Sequence, residues 1–160
     1  MSVITDLPAE QLHAGIRAWS RGSYPLEAAA ELLIRHDHWL RRTGFLERCA
    51  QISAEGPDYI AMRWADAAAA IDTAAASSSE RSIALIATAI AGHPTTDPLG
   101  HLLSGLDRTN TDLVCAAISH ATGTHQNIEH LATTRDGGPP VITPDSVRLH
   151  LDPIHPWPAT

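Results

Sequence analysis

Residues 77–92 read SSSERSIALIATAIAG, a serine-rich start followed by an apolar pattern and a closing glycine. Serine is a preferred helix cap, and Glu80 falls in the first turn, where its carboxylate stabilises the positive end of the helix. Gly92 provides a stop. Between these ends, apolar residues recur at the spacing of one helix face. The predicted buried side consists of Ile83, Ile86, Ala87 and Ile90. The stretch therefore predicts a helix with both ends specified.

Upstream of this stretch, the chain predicts further helices separated by turn residues. One runs over residues 8–20, and a second begins at Ser23 with a proline near its start. A short helix is expected over residues 45–52, followed by a turn at residues 53–57. The clearest helical period of the chain comes next and is formed by Ile60, Trp64, Ala67 and Ile71. We expect this period to mark a single helix.

Downstream, a short helix is predicted from a cap at Asp97, and a longer one from about residue 109 to Gly123. A turn or short helix is expected over residues 124–133. Six or seven helices result, and a chain of 160 residues is long enough to bury a core without disulfides or metals. The sequence thus predicts an all-α fold, with a single compact helical domain over residues 1–133.

The last part of the chain, residues 134–160, has a different pattern and is predicted to be a linker rich in glycine and proline followed by an extended arm. The breaker Asp-Gly-Gly-Pro-Pro occupies residues 136–140. Apolar and polar residues then alternate over residues 147–151, which predicts a short strand pairing with residues 3–5 or with a second copy of the chain. A rival interpretation caps a short helix at Thr143. We expect a tryptophan near the end of the arm to anchor it on the body.

The charge of the chain restricts its partners and its chemistry. The formal net charge is −7, and all 11 basic residues are arginine, so no mechanism with an essential lysine is available. Without a basic cluster, we expect no nucleic-acid partner. No apolar run approaches the roughly 18 residues that span a bilayer, and the start of the sequence has no signal-peptide pattern. The sequence therefore predicts a cytoplasmic protein without a membrane partner.

One segment, residues 77–107, resembles the stretch between the signature motif and the D-loop of ABC-type ATPases. The matching pieces are SSSER at residues 77–81 and LSGLD at residues 103–107. The resemblance implies nucleotide hydrolysis, which requires a GxxxxGK phosphate loop. The chain contains neither that loop nor a lysine, and Pro98 and Gly100 interrupt the place of the family's central strand. We therefore expect a capped helix, a turn and another capped helix here.

Two other stretches resemble helical proteins of actinobacteria to which no activity is assigned. They are RAWSRGSYPLEAA at residues 17–29 and GLDRTN at residues 105–110. Arginine in place of lysine, together with abundant alanine, is typical of proteins from GC-rich bacteria. This resemblance implies a bacterial source and a helical fold, and it assigns no function.

Histidine is the residue type most in excess, with ten in the chain. A metal site needs three or four converging ligands, which are often supplied by helices. His93 and His101 flank a predicted turn and could converge with His120 or His125 from the following helix. These four residues are the candidate ligands for a divalent metal. The alternative is that they are surface or helix-end histidines that interact with the helix dipole.

The sequence contains no recognisable catalytic set. It has no GxSxG elbow, and the carboxylates of Glu27 and Glu31 lie on one helix face, where we expect them to oppose arginines such as Arg35. We therefore expect no catalytic residue and no cofactor. The preferred function is a helical interaction or regulatory protein that binds a protein partner or itself. The alternative is an enzyme or sensor with a histidine-bound divalent metal.

Tryptophan and arginine are the usual anchors of protein interfaces, and they guide the choice of a candidate interface. The predicted interface consists of Trp39, Leu40, Arg42, Phe45 and Trp157.

Overall fold

The computed structural model describes residues 4–126, 128–130, 137–139, 141 and 148–159. In these residues the fold is predominantly helical, with seven α-helices and two small antiparallel sheets. The helices are α1 (Ala9–Ser20), α2 (Tyr24–His36), α3 (Thr43–Cys49), α4 (Trp64–Asp72), α5 (Ser78–Ile90), α6 (Leu99–Ser104) and α7 (Arg108–Ala121). The strands are β1 (Ala50–Ser53), β2 (Gly56–Met62), β3 (Ile128–His130) and β4 (Arg148–His150). The prediction of a helical fold is confirmed, and the prediction of a purely all-α fold is wrong.

The central helix α5 begins and ends close to where its sequence predicts. Ser77 is its N-cap, and a capping box joins it to Glu80: the Glu80 N–H donates to Ser77 Oγ at 3.3 Å, and the Ser77 N–H donates to Glu80 Oε2 at 2.6 Å. Burial is wider than the predicted stripe, because every residue from 82 to 88 is buried. The Thr88 hydroxyl lies in the core, where it donates a hydrogen bond to the Ala84 carbonyl at 2.8 Å. The helix packs on α2, α4 and α7 and forms the middle of the core.

A β-hairpin takes the place of the end of one predicted helix and the beginning of the next. The chain leaves α3 at Cys49, forms β1, turns at Gly56 with a φ of 143°, and returns as β2, in which Ile60 lies opposite Ile52. The predicted helix over residues 45–52 is therefore wrong in its second half. The prediction that Ile60 and Trp64 share one helix is also wrong, because Trp64 begins α4 after the strand has ended. The packing of β2 against α1 determines the conformation of residues 56–62. The spacing of apolar residues along the chain gives no indication of that contact.

Gly15 permits the close approach of α1 to the hairpin. A Cβ at this position would lie 2.7 Å from Cγ1 and Cδ1 of Ile60, a fully buried side chain. Alanine is favoured over glycine in a helix by about 1 kcal/mol, but overpacking a core costs about 1–3 kcal/mol. We expect Gly15→Ala to lower the free energy of unfolding by about 1 kcal/mol, as measured by urea denaturation.

Gly100 is the matched control for this prediction. It also lies in a helix, but a Cβ there would meet no atom within 4 Å. Gly100→Ala should therefore raise the free energy of unfolding by up to about 1 kcal/mol. If both variants were stabilised, the contact between Gly15 and Ile60 would not constrain the fold.

The segment that resembles the ABC-type motifs joins two helix starts. Asp107 caps α7 by accepting from the Asn110 N–H at 2.8 Å, which places the cap two residues before the predicted start. The side-chain amide of Asn110 (Nδ2) also donates to Ser79 Oγ at 2.7 Å, in the first turn of α5. These side chains therefore hold the N-termini of α5 and α7 together.

Among the described helices, none combines the length and the apolar character needed to cross a membrane.

The predicted C-terminal strand lies partly within the described residues. Residues 148–150 form β4, which pairs with β3 over residues 128–130, whereas residues 4 and 5 of the predicted partner segment lie in a 3-10 turn and residue 3 lies outside the described residues. Pairing with a second copy of the chain stays a prediction. Of the range 124–133, for which a turn or short helix is predicted, the described residues form a 3-10 turn, Thr124–Gln126, and then β3, while residues 127 and 131–133 lie outside the described residues. Thr143, the start of the rival helix, lies outside the described residues. The division between residues 133 and 134 stays a prediction.

Candidate metal centre

Two histidines that are close in sequence and one glutamate from a distant helix converge beside the end of α7. Glu27 lies in the first turn of α2, His120 in the last turn of α7, and His125 in the 3-10 turn that follows. Each offers one ligand atom, and these atoms lie within 4.8 Å of one another. The two histidines and the carboxylate therefore form one compact cluster, which we call the Glu27 cluster.

A glycine turn brings the second histidine back onto the first. Gly123 follows α7 and has a φ of 74°, a backbone conformation that residues with a side chain rarely adopt. A Cβ there would also lie 2.8 Å from the ring of Tyr24. After this turn, the His125 ring stacks on His120 with centroids 4.1 Å apart, while Tyr24 meets it edge-on at 5.0 Å. Local backbone geometry thus positions both imidazoles.

The carboxylate of Glu27 is fixed by two hydrogen bonds. Its Oε2 lies 2.9 Å from His120 Nε2, and its Oε1 accepts from the Gly22 N–H at 2.8 Å. Partial burial opposes ionisation, but these bonds outweigh it and hold the pKa of Glu27 below its ordinary value. The group is therefore an ionised carboxylate at neutral pH.

The imidazole of His125 is kept neutral by its surroundings. Burial and then the neighbouring His120 lower the pKa of His125 below its ordinary value. Its Nδ1 is buried and has no hydrogen-bond partner among the described residues. Neutral imidazole is the form that binds metals, so His125 is already in the protonation state that a metal requires.

Burial of histidines gives the fold a defined response to acid. Burial is also the largest cause that lowers the pKa of His13 and of His36, as it is for His125. The unfolded chain then binds more protons than the folded chain below about pH 6.5, so stability falls as the pH decreases through that value. We expect the urea midpoint to decrease between pH 7.5 and pH 5.5. His36→Gln should flatten this slope, and exposed His101→Gln should not. A midpoint that rises on acidification would contradict the prediction.

The C-terminal arm covers one side of the Glu27 cluster. The Trp157 indole N–H points to His120 Nδ1 at 3.5 Å, and Arg35 lies over the Trp157 ring, 5.2 Å from its centroid. Arg35 also donates to the Pro158 carbonyl at 2.8 Å. Further along, His155 contacts Asp112 of α7, with Nε2 and Oδ1 2.7 Å apart. Residues 155–158 therefore dock on α2 and α7, with Trp157 as the anchor expected from the sequence.

A pocket of about 310 Å³ opens between the cluster and the end of α1. Its lining is formed by Arg17, Arg21, Glu27, Ala30, Glu31, His120 and Trp157. Glu31 receives a two-pronged contact from Arg17, at 2.8 and 3.1 Å, and another from Arg35 at 2.7 Å. Burial opposes ionisation of Glu31, but the two arginines hold its pKa below the ordinary value. The expectation that both carboxylates oppose arginines is confirmed for Glu31. It is wrong for Glu27, which contacts His120 and the Gly22 N–H instead.

The four histidines nominated by the sequence do not lie in one place. His120 and His125 belong to the Glu27 cluster, whereas His93 and His101 are not part of that group of ligand atoms. His93 follows α5, where its N–H donates to the Thr88 carbonyl, and His101 lies on α6 beside a different groove. Sequence reasoning missed Glu27 as a candidate ligand. It lies 93 residues from His120, and no local pattern connects the two.

The apolar members of the predicted interface lie inside the chain. Trp39 has no exposed surface, and Leu40 and Phe45 are 4% exposed. Arg42 lies over the Trp39 ring and donates to the Ala75 carbonyl at 2.7 Å. Trp157 already contacts His120 and Arg35 within the chain. Binding of a protein partner or self-association stays a prediction.

Comparisons with protein-family models, with curated proteins and with solved structures found no match. The function proposed below is supported by the geometry and chemistry of the chain's own residues.

Proposed function

We propose that the protein binds a divalent transition-metal ion through Glu27, His120 and His125, and that it acts as a metal-dependent enzyme or metal sensor. The observation that carries this proposal is the convergence of three ligand atoms within 4.8 Å from α2, α7 and the 3-10 turn. One carboxylate and two imidazoles are the donors that zinc, iron(II) and similar ions accept. The oxygen-rich sites preferred by calcium and magnesium have a different composition.

The electrostatics of the cluster support the same proposal. The lowered pKa of Glu27 and the lowered pKa of His125 both favour the forms that coordinate metal. Three protein ligands leave at least one coordination position open, as in catalytic zinc sites. Glu27 and His120 also line the pocket, so that position has access to a small molecule.

The test measures metal content and affinity directly. Protein prepared without a histidine tag is stripped with a chelator and titrated with Zn²⁺ by calorimetry. We expect about one equivalent to bind. Glu27→Gln and His125→Gln should each weaken binding by more than about 100-fold, because even the loss of an outer-shell partner costs about 10–100-fold.

The other two nominated histidines provide matched controls. His93→Gln and His101→Gln remove an imidazole outside the Glu27 cluster and should leave the affinity for zinc unchanged. Uptake below about one-tenth of an equivalent would overturn the proposal. An affinity that depends on His93 or His101 instead would place the site elsewhere.

A further inference from the structure

The pocket beside the Glu27 cluster has the charges of a ligand-binding site. Arg17 and Arg21 line it together with Glu27 and Glu31, so its two positive and two negative side chains cancel. A bound divalent ion would add two positive charges at the Glu27 end. The occupied pocket would then carry a net positive charge and favour a ligand with two negative charges.

The two arginines differ in how much hydrogen-bonding capacity they retain. Arg17 uses Nε and Nη2 in its contact with Glu31, which leaves its Nη1 available. Arg21, just after α1, makes no ion pair or side-chain hydrogen bond within the described part of the chain. A planar guanidinium recognises a carboxylate with two parallel hydrogen bonds. Arg21 is therefore the side chain best suited to hold an anionic group.

The lining of the pocket also includes two apolar side chains, Ala30 and Trp157. Ala30 is 1% exposed, and the Trp157 ring is held in place by Arg35. These two side chains offer no negative charge and match the short hydrocarbon part of a ligand. A cavity of about 310 Å³ limits that ligand to a small molecule.

We propose that this pocket binds a small organic dianion of the dicarboxylate class, with one carboxylate at the bound metal and the other at Arg21. The proposal rests on the metal site proposed above and identifies the ligand that this site would take. Glu27, His120 and His125 hold the ion, Arg21 selects the second charge, and Ala30 and Trp157 contact the carbon chain.

The experiment uses the full chain loaded with Co²⁺, whose visible absorption reports changes in its coordination. Malonate, succinate and glutarate are titrated separately, and neutral succinamide serves as the uncharged control. We expect at least one dicarboxylate to change the spectrum saturably and succinamide to leave it unchanged. Arg21→Gln should raise the dissociation constant about 10-fold, as expected for the loss of a partly exposed charge-assisted contact.

Arg108→Gln is the matched control, because Arg108 lines a separate groove on α7. It should leave the dissociation constant of the dicarboxylate unchanged. If Co²⁺ is not taken up, both the metal site and this inference fail. If Co²⁺ binds but no dicarboxylate changes its spectrum, or if Arg21→Gln has no effect, the inference is overturned and the metal site stands.

Discussion

The Trp39→Ala variant is expected to lose about 3–5 kcal/mol of unfolding free energy, the usual cost of deleting a large buried aromatic side chain. Trp39 has no exposed surface and packs against Phe45, with ring centroids 5.2 Å apart. Its indole N–H donates to the Glu80 carbonyl at 2.8 Å, next to the cap of the central helix. The variant therefore loses apolar contacts and one hydrogen bond to a carbonyl of the central helix. Urea denaturation followed by circular dichroism measures the loss.

Trp19→Ala is the control for this expectation. Trp19 is 37% exposed, so its removal leaves a smaller cavity, and we expect less than half of the loss. Light scattering on both variants separates a core role from an interface role. If Trp39→Ala changed the oligomeric mass but not the stability, Trp39 would act at a surface between chains.

Zinc is expected to stabilise the folded protein strongly. An ion that binds only the folded state adds about 2.7 kcal/mol when its free concentration is about 100 times the dissociation constant. We expect the thermal midpoint to rise accordingly at pH 7.5. The rise should diminish as the pH falls towards 5, because metal binding requires neutral imidazole and protons compete with zinc for histidine ligands. Differential scanning calorimetry with and without Zn²⁺ measures both effects.

Glu27→Gln isolates the contribution of the carboxylate to this stabilisation. Glutamine has a similar size and can still accept from the Gly22 N–H, but it carries no charge for the metal. We expect its thermal midpoint to be insensitive to zinc, whereas His101→Gln should respond as the unmodified chain does. Equal stabilisation of both variants would mean that zinc binds away from the Glu27 cluster.

Helices with explicit caps could be predicted from sequence, and the hairpin could not. The signals at Ser77 and Glu80 act within one turn of the chain, so the start of α5 follows from neighbouring residues. The conformation of Ile60 depends instead on Gly15, which lies 45 positions earlier and lets α1 cover the strand. A chance helical spacing between Ile60 and Trp64 then gave the wrong prediction. Contacts between distant segments outweigh local periodicity here.

The candidate site was predictable to a similar extent. His120 and His125 are close in sequence, and Gly123 between them signals the turn that stacks their rings. Their carboxylate partner comes from α2, and only the packing of α2 against α7 reveals it. The same packing explains why His93 and His101, although similar in type, take no part in the cluster.

The docked arm has a practical consequence for any purified preparation. Trp157 borders the pocket and Pro158 is hydrogen-bonded to Arg35, so a tag fused after residue 160 begins a few residues from a side chain that lines the proposed metal-binding pocket. A polyhistidine tag there would place additional imidazoles near the proposed metal site. These imidazoles would bind metal themselves and change the measured affinity for zinc. A bulky fusion would disturb the segment that places Trp157 against the pocket. An amino-terminal tag, removed by a protease, keeps the measured metal stoichiometry a property of the protein itself.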